Sequence, residues 1–193
     1  MTNKLQRLVN DVRACTLCAD KLKDGVRPVL QMQSEARILI AGQAPGSKVH
    51  KTGIPFDDPS GDRLRLWMGL DRDIFYDATQ IAILPMGFCY PGTGKSGDLA
   101  PLPICAQTWR QQLITNLPKL RLTLAIGLYA QNWHLDNTHK NLTETVRHWP
   151  SYGDDVMPLP HPSPRNNIWL KKNSWFEAET LPALKARVHK ALQ

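Results

Sequence analysis

Cys15, Cys18, Cys89 and Cys105 are all the cysteine in the 193-residue chain. A C-x2-C pair with two distant thiols is the pattern of a metal tetrad, and a disulfide framework is not expected in a chain read as cytoplasmic, where thiols stay reduced. A zinc ribbon wants a second close pair. Here fifteen residues separate Cys89 from Cys105 on a loop, a span that wraps a cubane as readily as a single ion. The expectation is a [4Fe–4S] cluster held by all four thiolates, with zinc as the alternative.

Of six histidines, His161 has the most directed setting. It follows an apolar run and stands between Pro160 and Pro162, which restrict the backbone and aim the ring. His134 and His139 are five apart, off the i, i+4 spacing of a shared zinc site, and read as solvated. Gly94-Lys95-Ser96 resembles the end of a phosphate-binding loop, but Cys89 occupies the position that the motif's first glycine needs. Gly42-Gln43-Ala44-Pro45-Gly46 lacks the G-x-G-x-x-G of dinucleotide sites.

These residues must be positioned by regular elements. Leu5, Leu8, Val9 and Val12 recur at helical spacing and predict an amphipathic helix ending near Cys15. Arg37–Ala41, Ile81–Leu84, Leu122–Ile126 and Val156–Leu159 read as short buried strands. Helices are expected after Ser60, taken as a cap, with Leu64, Trp67 and Met68 inside; over Pro103–Leu117; and at the carboxyl end, where Ser174 and Glu177 have capping-box spacing and Leu184, Val188 and Leu192 form one face. Strands alternating with helices predict an α/β fold: a three-layer sandwich with a short four-stranded, mostly parallel sheet, in one domain over residues 1–193. Ligands bind at the carboxyl ends of such strands. Those ends lead into GQAPG, PMGFCYPG and HPSPRN, which places the active site there.

Apolar residues at 42% and charged residues at 21% are ordinary for a globular chain and exclude wholesale disorder. No apolar run reaches the roughly 20 residues of a membrane span, and the first residues lack the apolar core of a signal peptide, so a cytoplasmic protein with no membrane partner is expected. The net charge is +7. Residues 1–30 carry six Lys/Arg against three acids, residues 161–193 six against two, and the middle is balanced. If the fold joins the two ends, they make one basic face for a polyanion.

Taken together, the motifs resemble the uracil-DNA glycosylase superfamily, most closely its iron–sulfur branch known from thermophiles. Residues 42–46 look like its first active-site motif, Phe56 in GIPFDDPSG matches the aromatic on which uracil stacks, and His161-Pro162-Ser163-Pro164 looks like the second motif. The cysteine spacings match the cluster-bearing branch. The resemblance implies a uracil-DNA glycosylase-like fold and excision of a damaged base, uracil or another deaminated base, from DNA in base-excision repair, by a monomer.

It also implies roles. Breaking the glycosidic bond leaves negative charge on the departing base, which His161 and the backbone N–H groups of Gln43 and Ala44 would stabilise in the manner of an oxyanion hole. Gly42, Ala44, Phe56 and Pro85 would line the flipped base. Ser163, Pro164 and Arg165 would fill the gap left in the duplex, with Lys171 and Lys172 on phosphates. Two positions depart from the pattern. The branch carries Glu where Gln43 stands, so Asp57 or Asp58 is the expected water-handling group, and its uracil-reading Asn is replaced by Pro85, which predicts weaker discrimination between bases. A catalytically weak nucleic-acid-binding relative and an iron–sulfur redox or sensor protein are the alternatives.

Overall fold

A computed structural model of the chain describes residues 3–95 and 97–193. Four parallel strands, β1 (Ile38–Ala41), β2 (Ile81–Ile83), β5 (Leu122–Ile126) and β6 (Val156–Leu159), lie in the order β2-β1-β5-β6. Their pairing is in register from Ile38, which faces both Ile81 and Leu122. Strands covered on both faces have no polar side to show, which is why they read as apolar runs, broken only by the buried Thr123 of β5.

Side chains alternate across the sheet. Ile38 and Ile40 enter a core with Leu64, Trp67 and Met68 of α3 (Pro59–Met68) and with Phe176, Leu184 and Val188 near or within α9 (Leu181–Leu192). Leu39 points the other way, to Leu5, Val9 and Val12 of α1 (Asn3–Arg13) and Leu113 of α5 (Pro103–Thr115). Each such buried side chain contributes about 1.5–3 kcal/mol. The amino-terminal and carboxyl-terminal helices therefore cover opposite faces of the sheet. The two terminal helices therefore do not join in one basic face, because each is recruited by its own apolar stripe.

Two start signals differ from expectation. Asp58, not Ser60, caps α3: its carboxylate accepts the Gly61 N–H at 2.9 Å, while Ser60 is buried within the first turn. No side chain caps the last helix, which is entered through a π-helical turn at Phe176–Thr180 in place of the Ser174–Glu177 box. Shorter helices, α2 (Ser47–Thr52), α4 (Arg72–Tyr76), α6 (Leu128–His134), α7 (Leu142–Arg147) and α8 (Asn167–Lys172), complete the two outer layers. Between Cys89 and Cys105 a small antiparallel hairpin pairs β3 (Thr93–Gly94) with β4 (Gly97–Asp98). Ser96 of the Gly94-Lys95-Ser96 run lies outside the described residues. No helix among the described residues is long and apolar enough to cross a membrane.

Candidate active site and cysteine cluster

At the carboxyl ends of β1, β2 and β6 opens a cavity of about 290 Å³, close to the lower end of small-molecule sites. Gly42, Gln43, Ala44, Phe56, Pro85, His161, Ser163 and Arg165 all line it. The loop after β2 is bound to the loop after β1: Met86 and Gly87 donate their N–H groups to the carbonyls of Gly42 and Gln43 at 2.9 and 3.0 Å. The carbonyls of this loop are thus used, while the N–H groups of Gln43 and Ala44 have no protein acceptor among the described residues. They are the free donors that an anionic ligand needs.

Phe56 is held under strain. It is the one non-glycine residue with positive φ, +54°, among those described, a conformation that bulky residues adopt only when their surroundings impose it. Gly61 is what allows it: a Cβ there would stand 1.8 Å from the Phe56 carbonyl oxygen. Buried Arg65 and the Tyr76 hydroxyl, which donates to the Pro55 carbonyl at 3.0 Å, secure the same turn. The ring end comes to lie against Gly42, 3.4 Å from where a Cβ would be. The apolar end of the ring therefore borders the loop that carries the free N–H groups.

His161 is fixed in tautomer as well as position. The Ser163 N–H donates to its Nδ1 at 3.2 Å, so the proton of the neutral ring resides on Nε2. Burial holds its pKa below the ordinary histidine value, against the weaker opposing pull of the Asp58 and Asp98 carboxylates. Asn166 donates to the His161 carbonyl at 2.7 Å. Arg63, which sequence reasoning missed, clamps the loop from α3 by donating to the Ser163 carbonyl at 3.0 Å and to the Asn167 side chain at 2.8 Å.

The expected water-handling residue Asp57 is not in this cavity. Its carboxylate turns out to Arg72, 3.1 Å away. Asp58 does line the cavity but spends one oxygen on its helix cap. Pro164 begins a 3-10 turn beyond the lining, and Lys171 and Lys172 are exposed at the end of α8, on the segment that leaves the His161 loop.

The four cysteines meet around a second, apolar cavity walled by Val12, Leu22, Pro28, Phe88 and Trp109. Cys15 and Cys18 stand on turns that follow α1, Cys89 on the loop after β2, and Cys105 in the first turn of α5. Three of the sulfurs accept N–H groups: Cys15 from the Trp109 indole at 3.3 Å, Cys105 from the Phe88 backbone at 3.3 Å, and Cys89 from the Arg27 backbone. Burial pushes the Cys18 and Cys89 thiols up and that of Cys105 to about 12. Thiols gathered in an apolar shell yet supplied with N–H donors fit a bound cationic centre, since such donors stabilise thiolate ligands. Among the described residues no three His, Cys, Asp or Glu side chains converge tightly enough for one ion.

Between the two cavities lies Arg110, fully buried on α5. It donates to the carbonyls of Leu84 and Pro85 at 2.8 and 3.2 Å and to His134 Nε2 at 2.6 Å. Burial lowers the Arg110 pKa to about 9, and burial together with that cation lowers His134 to about 3. His134 is therefore a neutral, half-buried acceptor and not the solvated residue expected. A signal for Arg110 was present: it falls at helical spacing between Ala106 and Leu113 on the buried face of α5.

A solution structure of a Methanosarcina acetivorans protein, provisionally a uracil DNA glycosylase, superposes with a TM-score of 0.48 at 18% identity, covering 83% of this chain and 98% of that one. Residues 31–185 match the sequence model of the uracil DNA glycosylase superfamily, a span holding both loop motifs, Phe56, Pro85 and two of the four cysteines. On that match, which extends over most of its length, the chain belongs to the uracil DNA glycosylase superfamily.

Proposed function

We propose that the protein is a DNA N-glycosylase that hydrolyses the bond between deoxyribose and a flipped-out uracil or other deaminated base, the first step of base-excision repair. The observation that carries this is the pairing of a neutral, tautomer-fixed His161 with the unclaimed N–H groups of Gln43 and Ala44 in one cavity. As the C1′–N bond breaks, its electrons move onto the base. Nε2–H of His161 and the two backbone donors then face the oxygens where that charge collects, a stabilisation available without reorganisation. Phe56 covers the face of the base, and its strained backbone keeps it there whether or not DNA is bound.

DNA is the partner. Arg165 and Ser163 sit at the rim of the same cavity, and exposed Lys171 and Lys172 continue a cationic track along α8 toward the phosphates. Pro85 offers the base no side-chain hydrogen bond, which supports a site that accepts several deaminated bases, because discrimination of this kind rests on matched polar groups. Cys15, Cys18, Cys89 and Cys105 would hold a [4Fe–4S] cluster of the iron–sulfur branch. Its work is structural, tying the turns after α1 to α5 and the loop that carries Pro85.

The test is incubation with oligonucleotides carrying uracil, hypoxanthine, xanthine or oxidised pyrimidines, scored for abasic sites. Release of more than one deaminated base is expected, with Pro85→Asn narrowing the range toward uracil. A protein inert on every lesion contradicts the reading.

A further inference from the structure

Hydrolysis needs more than a stabilised leaving group: a water must be oriented toward C1′, and its proton must go somewhere. The loop that carries the free N–H groups, residues 42–46, contains no carboxylate. Asp58 is the cap of α3, and Asp57 is outside the cavity. One other carboxylate lines it, that of Asp98, which arrives from the β3–β4 hairpin inserted between Cys89 and Cys105.

The hairpin is built to deliver that side chain. Leu99 folds back and donates its N–H to the Gly92 carbonyl at 2.8 Å, closing the base of the hairpin. Gly97, at φ +136°, leaves room for the Arg165 guanidinium, which would stand 2.7 Å from a Cβ at that position. Docked in this way, Asp98 Oδ2 comes within 3.5 Å of where a Cβ on Gly46 would be, against the loop that lacks a carboxylate of its own. Asp98 is exposed and has no hydrogen-bond partner among the described residues, so both of its oxygens face the cavity side or solvent uncommitted.

Resting on the glycosylase reading, we infer that Asp98 is the carboxylate that orients and deprotonates the hydrolytic water. The water oxygen bonds to C1′ as the C1′–N bond breaks. The bond's electron pair leaves with the base, the water's proton passes to Asp98, and the base anion takes up a proton from solvent. The negative carboxylate also stabilises the cation-like sugar that precedes attack. The charged and titratable groups that share the cavity with Asp98 are His161, Arg165, Lys48 and Asp58.

The experiment is single-turnover base release by Asp98→Asn on the lesion that the wild type processes fastest, across pH, with DNA affinity and metal content measured in parallel. A general base contributes ~100-fold or more, so the Asn variant should fall by about that factor with affinity and metal content unchanged. The wild-type rate should rise through an acidic limb that the variant loses. His161 is intact in the variant, so a limb that persists unaltered belongs to it and overturns the inference. An active wild type matched by Asp98→Asn also overturns the inference and leaves the glycosylase reading standing, whereas a wild type inert on every lesion removes both.

Discussion

The two cavities differ in what they ask of the chain. The cysteine cavity is apolar, and its four thiols come from three separate segments of the chain. The base cavity is polar, and most of its wall consists of loops pinned to strand ends by backbone bonds, an arginine clamp and one strained aromatic. One is a fastening, the other a preorganised site. Arg110 joins them, since the helix that carries Cys105 also holds the Leu84 and Pro85 carbonyls at the floor of the base cavity.

Breaking the fastening should have the largest effect on stability. With the proposed cluster in place, Cys105→Ala should abolish its iron and sulfide and lower Tm by roughly 10 °C or more, on the scale of 2–4 °C per kcal/mol for a chain of this size. Limited proteolysis should then cut first between Cys15 and Arg27, with the β-sheet core resisting. Calorimetry and metal analysis check this. Colourless wild-type protein holding one zinc would keep the tetrad and exchange the cluster for an ion.

Breaking the joint should come next. Arg110→Met keeps volume but strands two buried carbonyls and His134, a loss of about 3 kcal/mol on the scale of charge-assisted bonds. Denaturant titration measures it, and base release should fall with it because the Pro85 floor loosens.

Acid should weaken the fold through His134. His134 has a pKa of about 3 in the folded protein and about 6.5 when unfolded. Between those values only the unfolded chain takes up this proton. Stability is therefore complete above pH 6.5 and declines below it by up to ~1.4 kcal/mol per pH unit. Burial shifts His161 in the same direction. His134→Gln should flatten the decline as followed by thermal melts.

How far these regions could be read from sequence differs too. The strands were legible because burial on both faces leaves a mainly apolar signature, and the loops after them were legible as punctuation at strand ends. Asp57, Asp58 and Ser60 were adjacent candidates whose roles depend on which way a helix start turns, which spacing does not encode. Arg63 and Asp98 act across long sequence separations, on Ser163 and beside Gly46, so only the fold reveals them. The basic ends had the right charges, but apolar stripes sent the two terminal helices to opposite faces of the sheet.

The smallest effect concerns the rim. Lys171→Ala with Lys172→Ala should weaken binding to all DNA sequences alike and reduce the log–log salt slope by roughly 1–2, as measured by anisotropy titration.

The most direct test of the central claim is single-turnover base release by His161→Ala beside the wild type, with DNA affinity measured in the same samples. Loss of one preorganised donor should slow release by ~100- to 1,000-fold while binding, fold and metal content stay as they were. A His161→Ala variant as fast as the wild type would contradict the account.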